Sequence, residues 1–433
     1  MKTASPSAWR MGKLGDVILD ARPGFACGDD VEDGIIHFRM NNVTREGTID
    51  WSKIRRVPRE RNRIEELYVQ PGDLLFNSTS SPELVGKCTV FPGNSEPVTF
   101  SNHFHRLRPD HARADSRFIR RWITLQWSRG VFEGMCRQWV NQATVTKDSL
   151  LGLQIPLPPL AEQRRIADLL DRAEALRAKR RAAIAQLDSL TESHFLDLFG
   201  NPATNPKDWP HKTLFDLGKV VTGGTPPSVK PDMFDGPIPF ITPGDLESDE
   251  PVKRSLTAAG AEESRTVRAG ATLVCCIGAT IGKMGVAPVR SAFNQQLNAV
   301  EWKDEINDLY GYATLRFFKP TIKSWGASTT LPILKKSSFE KIEIPVPPLP
   351  LQQEFARRFQ ATEKLRAAQT ASLAELDELF ASLQNRAFKG ELCEANSSEF
   401  GQKPRARFGN NSPPRRPRQM TSTVSFIARC HLR

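Results

Sequence analysis

A repeated block of sequence constrains the fold of this chain more than any other feature. The segment IPLPPLAEQRRIADLLDRAEALR begins at Ile155, and IPVPPLPLQQEFARRFQATEKLR begins at Ile344, so the two copies are offset by 189 residues. Both copies continue through helix-forming residues. The repeat indicates that a unit of the chain is duplicated.

The segments that precede the two blocks also match, although more weakly. VQPGDLLFNSTSSPELVGKC at 69–88 aligns with VRAGATLVCCIGATIGKMG at 267–285, and TFSNHFHRLRP at 99–109 aligns with AFNQQLNAVEW at 292–302. The sequence therefore predicts two globular domains, each followed by a helical block, and then a tail. The predicted boundaries are 1–154, 155–200, 201–343, 344–390 and 391–433.

Each helical block is predicted to be one long helix. Between Leu160 and Phe199 there is no proline or glycine, and alanine, leucine, arginine and glutamate predominate. Apolar residues at 3/4 spacing indicate helices that pack along their length. The alternative is that each helix packs only on its own domain. A helix of this size spans ~58 Å, which is longer than the diameter of one such domain. The predicted packing positions are Ile166, Leu170, Leu176, Ile184 and Leu187 in the first helix, and Phe355, Phe359, Leu365, Leu373 and Leu376 in the second.

The globular domains combine short strand-like runs with turns. Turns precede predicted strands at 74–76 and 271–274, and helices are predicted over 115–129 and 304–318. This pattern is typical of an α+β domain with a mostly antiparallel or irregular sheet.

Composition excludes several classes of protein. The chain has no apolar run long enough to span a membrane and no apolar signal segment at its N-terminus. Its seven cysteines are scattered and lack the spacing of a zinc site, which favours reduced thiols and a cytoplasmic location. The net charge is +11, but the 391–433 tail alone holds eight basic and three acidic residues. This basic tail is predicted to be disordered.

The paired I-P-[LV]-P-P-L blocks, each with a glutamine soon after, resemble the DNA specificity subunit of type I restriction–modification systems. Each block follows a domain with a G-D-L-L-F-like strand and an F-N-Q-like segment, and the resemblance covers about residues 10–390. Two departures are that the first domain has Ser101-Asn102-His103 where the second has Asn294-Gln295-Gln296, and that Gly270-Ala271 replaces G-D.

The resemblance implies an α+β fold in which two target recognition domains alternate with two long helices. The helices would pack antiparallel as a coiled-coil spacer, and each domain would read one half of a bipartite site on double-stranded DNA. The subunit would be non-catalytic and bind no cofactor. Two methyltransferase subunits would dock on it, and restriction subunits would join through the complex, so that SAM, ATP and Mg act only in those partners.

The predicted DNA contacts are basic or small polar residues in loops. Arginine suits phosphate and guanine, and amides suit adenine. A solvated surface for the arginines and a buried or capping role for the amides remain open alternatives. The predicted residues are Arg55, Arg56, Arg59, Arg61, Arg63, Asn77, Ser78, Thr79, Ser101, Asn102, Gln142, Thr144, Thr222, Thr225, Lys283, Asn294, Gln295, Gln296, Thr329, Thr330 and Lys335.

Signatures of an enzyme are missing from the sequence. The run Gly278-Ala279-Thr280-Ile281-Gly282-Lys283 is one residue short of a phosphate-binding loop and lacks its final Ser/Thr. No catalytic or metal-binding residues are predicted. A coiled-coil scaffold that does not read DNA is a second hypothesis, and a self-contained nuclease or methylase is a third.

Overall fold

The computed structural model describes residues 9–60, 63–139, 142–227, 232–248, 250–326 and 332–392. The chain forms two compact units. Among the described residues, unit 1 contains those up to Ala178 together with those from Ala374 onwards, and unit 2 contains those from Lys179 to Leu373. Each unit therefore takes one domain and parts of both long helices.

Unit 1 begins with the first domain, which is closed by pairing between its first and last strands, β1 and β12. Its core sheet is antiparallel with the strand order β2-β9-β5-β7, and a second sheet, β4-β3-β8, joins β3 and β8 in parallel. The elements are β1 (Met11–Lys13), β2 (Ile18–Pro23), β3 (Ile35–Phe38), β4 (Arg56–Val57), β5 (Leu74–Asn77), β6 (Thr79–Ser80), β7 (Cys88–Val90), β8 (Val98–Phe100), β9 (Phe104–Pro109), α1 (Ser116–Ser128), α2 (Val131–Met135), β10 (Arg137–Trp139), β11 (Gln142–Thr144), α3 (Lys147–Leu151), β12 (Gln154–Pro156) and the long helix α4 (Leu160–Phe199).

Unit 2 contains the second domain, which is closed in the same way by its first and last strands, β13 and β22. Its sheets have the orders β14-β21-β18-β19 and β16-β15-β20-β17, and β15 and β20 are parallel. The elements are β13 (His211–Thr213), α5 (Leu214–Leu217), β14 (Gly218–Thr222), β15 (Phe234–Ile241), β16 (Ser255–Leu256), α6 (Ala258–Glu263), β17 (Thr266–Val267), β18 (Thr272–Cys275), β19 (Met284–Val286), β20 (Ser291–Phe293), β21 (Leu297–Trp302), α7 (Asp308–Phe317), α8 (Lys319–Gly326), α9 (Lys336–Phe339), β22 (Glu343–Pro345) and the long helix α10 (Leu349–Phe388).

The two domains share one topology. The order β2-β9-β5-β7 corresponds strand by strand to β14-β21-β18-β19, and in both domains the second sheet contains one parallel pair, at the edge of three strands in the first domain and in the centre of four in the second. The duplication predicted from sequence is thus a duplication of fold, and the predicted α+β class with two domains and two long helices is confirmed.

The predicted helices over 115–129 and 304–318 correspond to α1 and α7. Asp115 caps α1 because its side chain accepts hydrogen bonds from the backbone amides two and three residues later. Asn307 caps α7 in the same way. The second helix therefore begins later than predicted, because the capping side chain sits at 307. No helix among the described residues is long and apolar enough to cross a membrane.

A buried glutamine fastens each long helix to its domain. Gln163 Oε1 accepts a hydrogen bond from the Asp115 amide at 3.0 Å, and its Nε2 donates to the carbonyls of Arg113 and Pro158 at 3.1 and 2.9 Å. The side chain is 1% exposed. The repeated P-P-L-x-x-Q pattern therefore positions one amide that hydrogen-bonds to two backbone segments, the one that leads into α1 and the one that leads into α4.

Gln352 makes the same three contacts in unit 2. It accepts from the Asn307 amide at 2.8 Å and donates to the carbonyls of Glu305 and Pro347 at 3.1 and 2.8 Å. Its side chain is fully buried. The two glutamines, which are 189 residues apart in the sequence, therefore occupy equivalent positions in the two units.

The long helices pack antiparallel in both units. In unit 1 the beginning of α4 contacts the end of α10, where Arg177 Nε lies 2.5 Å from Asp377 Oδ1. In unit 2 the end of α4 contacts the beginning of α10, where Phe195 meets Phe355 edge to face with centroids 5.3 Å apart. The seam is partly polar: the Arg177 guanidinium also lies over the Phe380 ring at 4.4 Å.

The structure corrects two of the predicted packing positions. Leu176 and its repeat equivalent Leu365 are 56% and 48% exposed. The neighbouring arginines occupy the seam instead, because Arg177 pairs with Glu174 and Arg366 with Glu363 one turn earlier in each helix. The other predicted positions are buried or half-buried: Ile166, Leu170, Ile184, Leu187, Phe355, Phe359, Leu373 and Leu376.

Candidate nucleic-acid interface

A short polar turn follows the parallel strand pair in each domain. In the second domain it is Asn294-Gln295-Gln296, between β20 and β21, and in the first it is Ser101-Asn102-His103, between β8 and β9. The amide of the first turn residue donates to the preceding parallel strand in both, from Ser101 to Phe38 O at 2.8 Å and from Asn294 to Ile241 O at 2.9 Å. Both turns therefore rest on the same backbone frame.

A glycine packs directly against each turn. A Cβ atom built on Gly24 would lie 2.1 Å from the Phe100 carbonyl oxygen, and one built on Gly223 would lie 2.2 Å from the Asn294 carbonyl oxygen. No other residue type fits at these distances. Both glycines follow the first strand of the core sheet at equivalent places, and neither was among the residues predicted from sequence.

The second domain joins three of the predicted residues in one polar cluster. Asn294 Nδ2 donates to Thr225 Oγ1 at 3.1 Å, and Thr225 in turn donates to Gln295 Oε1. Thr222 lies close by on β14 and donates to Asn298 Oδ1 at 2.7 Å. The side chains of Thr222, Thr225 and Gln295 are exposed, so this cluster presents donors and acceptors at the surface.

The turn of the first domain carries different side chains. Asn102 is exposed, whereas Ser101 is only 6% exposed and lies under the turn. The two domains therefore present different hydrogen-bonding groups from one shared backbone geometry.

Three predicted residues of the first domain have roles inside the fold. Asn77 is fully buried and donates to the Leu84 carbonyl at 3.2 Å, and Ser78 is 2% exposed and donates to the His103 carbonyl at 3.0 Å. With Ser101, these buried side chains correct the expectation of an open polar loop. Thr79 and Thr144 are cross-strand partners on β6 and β11, and their hydroxyls are 3.2 Å apart.

The arginine run at 55–63 is paired with carboxylates of its own domain. Arg56 makes two hydrogen bonds to Glu96, at 2.6 and 3.1 Å, and one to the Gly34 carbonyl at 2.9 Å. The hydrogen bonds from Arg56 lower the pKa of Glu96. The remaining described pairs are Arg55 with Asp30, Arg59 with Asp33 and Arg63 with Glu66.

These pairings match the alternative of a solvated surface on which the charges are balanced. Several of the carboxylate partners are far from the arginines in the sequence. The guanidinium groups of Arg59 and Arg63 nevertheless remain solvent-accessible, with side-chain exposures of 54% and 74%. Exposed ion pairs of this kind are weak. Their arginines can exchange a carboxylate partner for a phosphate at little cost.

The remaining predicted residues are scattered. Lys283 is half-buried after β18, and Lys335 is exposed at the N-cap of α9. Gln142 lies on β11, where only its backbone is described. Arg61, Thr329, Thr330 and the tail from residue 393 lie outside the described residues.

The described residues offer no cluster of His, Cys, Asp and Glu side chains that could hold a metal ion. Burial raises the pKa of the Cys88 and Cys276 thiols to about 12, which makes them poor nucleophiles. The described structure is thus that of a protein built from two copies of one domain, each with one polar turn at its surface.

Comparison with known proteins identifies the family. The family model described as "Type I restriction modification DNA specificity domain" matches residues 6–186 and again 206–378. The chain belongs to this family and carries two of its domains. It is thus a type I DNA specificity subunit, whose role is non-catalytic and whose complex acts on DNA with modification and restriction subunits.

Similar proteins cover nearly the whole chain. A putative type I restriction enzyme specificity subunit, MjaX of Methanocaldococcus jannaschii, is 22% identical over 89% of this chain and 94% of its own length. The MjaIX specificity subunit of the same organism is 30% identical over 35% of this chain and 37% of its own. The crystal structure of a type I S subunit from M. genitalium superposes with a TM-score of 0.59 at 14% identity, covering 90% of this chain and 98% of that one. This last similarity supports the fold alone.

Proposed function

We propose that each domain reads one half of a bipartite DNA site through its polar turn. One observation carries the proposal: the two turns share a backbone frame and a packed glycine but present different side chains. A constant frame with variable amides and hydroxyls suits two half-sites of different sequence. Amides that pair with adenine are each worth ~1–3 kcal/mol of discrimination between bases.

Methylation mapping tests this role. The full chain is combined with its methyltransferase subunit, and the modified motif is mapped for Gln295→Ala and Asn102→Ala. Each substitution is expected to relax one half of the motif and leave the other unchanged. Thr204→Ala, at an exposed position in the loop after α4, is the matched control. A motif unchanged by both turn substitutions would refute reading by these turns.

The long helices are proposed to set the distance between the half-sites. Each helix has 40 residues and spans ~60 Å at ~1.5 Å per residue, an upper limit of about 17 base pairs at ~3.4 Å each. An insertion of seven residues, about two turns, into both α4 and α10 should lengthen the gap in the methylated motif. An unchanged gap would contradict this spacer role, while half-site reading would stand.

Two methyltransferase subunits are proposed to dock on the helices. Each unit exposes one leucine from each helix, Leu176 and Leu379 in unit 1 and Leu365 and Leu190 in unit 2, and these are equivalent under the repeat. Two equivalent apolar surfaces suit two copies of one partner. Because modification acts on chromosomal DNA, the complex is proposed to be cytoplasmic. Leu176→Glu and Leu365→Glu should each lower the stoichiometry from two to one in sedimentation experiments, whereas a stoichiometry of one for the unaltered chain would refute the proposal.

A further inference from the structure

Unit 2 contains a cavity of about 590 Å³ that opens to solvent between four helices. Its floor is aromatic, with Phe195 on α4 and Phe355 and Phe359 on α10. Its remaining walls come from α7 and α8. Since the polar turn lies between strands β20 and β21, this cavity is a separate feature of the unit. Its volume falls within the ~300–1,000 Å³ of ordinary ligand sites.

The equivalent place in unit 1 is filled by the chain itself. There Phe380 is 8% exposed, the Arg177 guanidinium lies 4.4 Å from the centre of its ring and that of Arg121 lies 5.8 Å from it. The helix repeat places Thr191 at the position of Phe380. The capping residues Asp115 and Asn307 align α1 with α7.

That alignment places Ala313 at the position of Arg121, and both Thr191 and Ala313 line the cavity of unit 2. Two large side chains of unit 1 have therefore become two small ones in unit 2. The repeat places Thr191 of the cavity wall where unit 1 has a phenyl ring, while Phe195, Phe355 and Phe359 of the cavity replace Gln384, Ile166 and Leu170.

The rim of the cavity selects the charge of an occupant. Arg316 and Lys323 line it, and neither forms an ion pair within the described part of the chain. Lys319 lines it as well and is paired with Glu247 at 2.6 Å. The one acidic lining residue is Glu192. An occupant with carboxylates beside an apolar group complements this rim.

We propose that the cavity of unit 2 is a docking site for a partner polypeptide that inserts an aromatic side chain flanked by carboxylates. Unit 1 supplies the precedent, because a protein phenylalanine lies at the repeat-equivalent place under a guanidinium. Lys323 and Arg316, whose guanidinium lies 5.8 Å from the centre of the Tyr312 ring, hold the flanking carboxylates. The chain's own tail is basic overall, with eight basic and three acidic residues, but Glu399 precedes Phe400 in it, so the tail is the competing occupant that the experiments must separate from a partner.

Fluorescence anisotropy with a labelled peptide tests the proposal on the full chain. The probe is a 12-residue helix-forming peptide with one phenylalanine between glutamates, and its matched forms replace the phenylalanine by alanine or the glutamates by lysines. Saturable binding of the probe is expected, with each matched form at least tenfold weaker. Equal binding of the three peptides, or no binding of the probe, would overturn the proposal.

Variants of the protein localise the binding. Thr191→Phe fills the cavity as unit 1 does and should weaken binding at least tenfold while the thermal midpoint is kept or raised. Thr191→Ser is the matched control and should bind within twofold of the unaltered chain. Lys323→Glu should weaken binding of the probe peptide several-fold without unfolding the domain. If Thr191→Phe folds and binds as well as Thr191→Ser, the cavity is not the site.

Truncation after Leu392 tests whether the chain's own tail, rather than a separate partner, occupies the cavity. Unchanged affinity of the truncated chain supports a separate partner. A tenfold rise in affinity would show that the tail competes for the cavity, and would overturn the partner proposal. Neither result depends on DNA reading, which the methylation map measures independently.

Discussion

Replacing the glutamine that fastens each long helix to its domain should destabilise one unit at a time. Gln352→Ala removes the acceptor for the Asn307 amide and the donor to the carbonyls of Glu305 and Pro347. Because the site is fully buried, water does not replace the lost partners. A buried polar group left without a partner costs ~1–3 kcal/mol, and relaxation will recover part of the total for three groups.

The expected loss is about 3 kcal/mol in the free energy of unfolding of unit 2. For a unit of this size, that corresponds to a fall of roughly 6–12 °C in its thermal midpoint. Urea denaturation and calorimetry measure the loss, and hydrogen exchange of the first turn of α7 locates it, because the Asn307 amide is one of the released groups. Gln353→Ala, one residue further on an exposed face, is the control and should change stability by less than ~0.5 kcal/mol.

Gln163→Ala provides the matched experiment in unit 1. It should produce a similar loss, with hydrogen exchange rising at the start of α1 and not of α7. Losses below ~1 kcal/mol in both variants would refute the view that these amides hold the domains to the helices. A loss in which both helix starts exchange faster in each variant would refute the independence of the two units.

Three further predictions follow from other contacts. Gly223→Ala forces a Cβ atom against the Asn294 carbonyl oxygen and should impair only the half-site read by the second domain in the methylation map, whereas Gly224→Ala, whose Cβ meets nothing closer than 3.9 Å, should not. Burial lowers the pKa of His105 from its ordinary 6.5, so the stability it contributes is complete above about pH 6.5 and is lost as the pH falls below it; His105→Gln should flatten this decline in thermal midpoint, and exposed His211→Gln should not. A double-mutant cycle on Arg177 and Asp377 should give a coupling of about 0.5–1 kcal/mol that decreases with salt, and a coupling of zero would contradict a contribution of that pair to the seam.

The long helices could be predicted closely from sequence because their signals are local. The absence of proline and glycine from Leu160 to Phe199, followed by Gly200 in a left-handed conformation, sets the ends of α4 where they were expected. The exposure of Leu176 could not be predicted in this way. A 3/4 pattern indicates an apolar face of a helix. Arg177 nevertheless lies in the seam between the helices, because it contacts Glu174, Asp377 and the Phe380 ring. Two of these partners are brought to it only by the tertiary fold.

The candidate site was predictable only where the duplication revealed it. Aligning the two copies singled out Asn294-Gln295-Gln296 and its counterpart at 101–103, and both proved to be turns on one frame. The prediction that Asn77 and Ser78 contact DNA came from one copy alone and was wrong, because their sequence resembles that of a surface loop. Their burial depends on carbonyl groups of Leu84 and His103, and the latter is 25 residues away.

The arginine run shows the same limit for charge. Arg56 and Arg59 are neutralised by Glu96 and Asp33, which are distant in sequence and so leave no local signal of pairing. Counting charges within a segment therefore overestimates the positive potential available to DNA. The net charge of +11 is a weak argument for DNA binding, and exposed side chains on the two polar turns are a stronger one.

Duplication followed by divergence is the basis on which the proposed half-sites would change independently. Each domain closes on itself through its terminal strands, β1 with β12 and β13 with β22, and each keeps its own buried glutamine and packed glycine. The residues that present hydrogen-bonding groups to the surface do not form these closing contacts. Substitutions at separate, unconnected positions are additive in free energy. If the turns read DNA as proposed, a new amide or hydroxyl on one turn alters the recognised half-site without disturbing the frame that holds it or the reading of the other half.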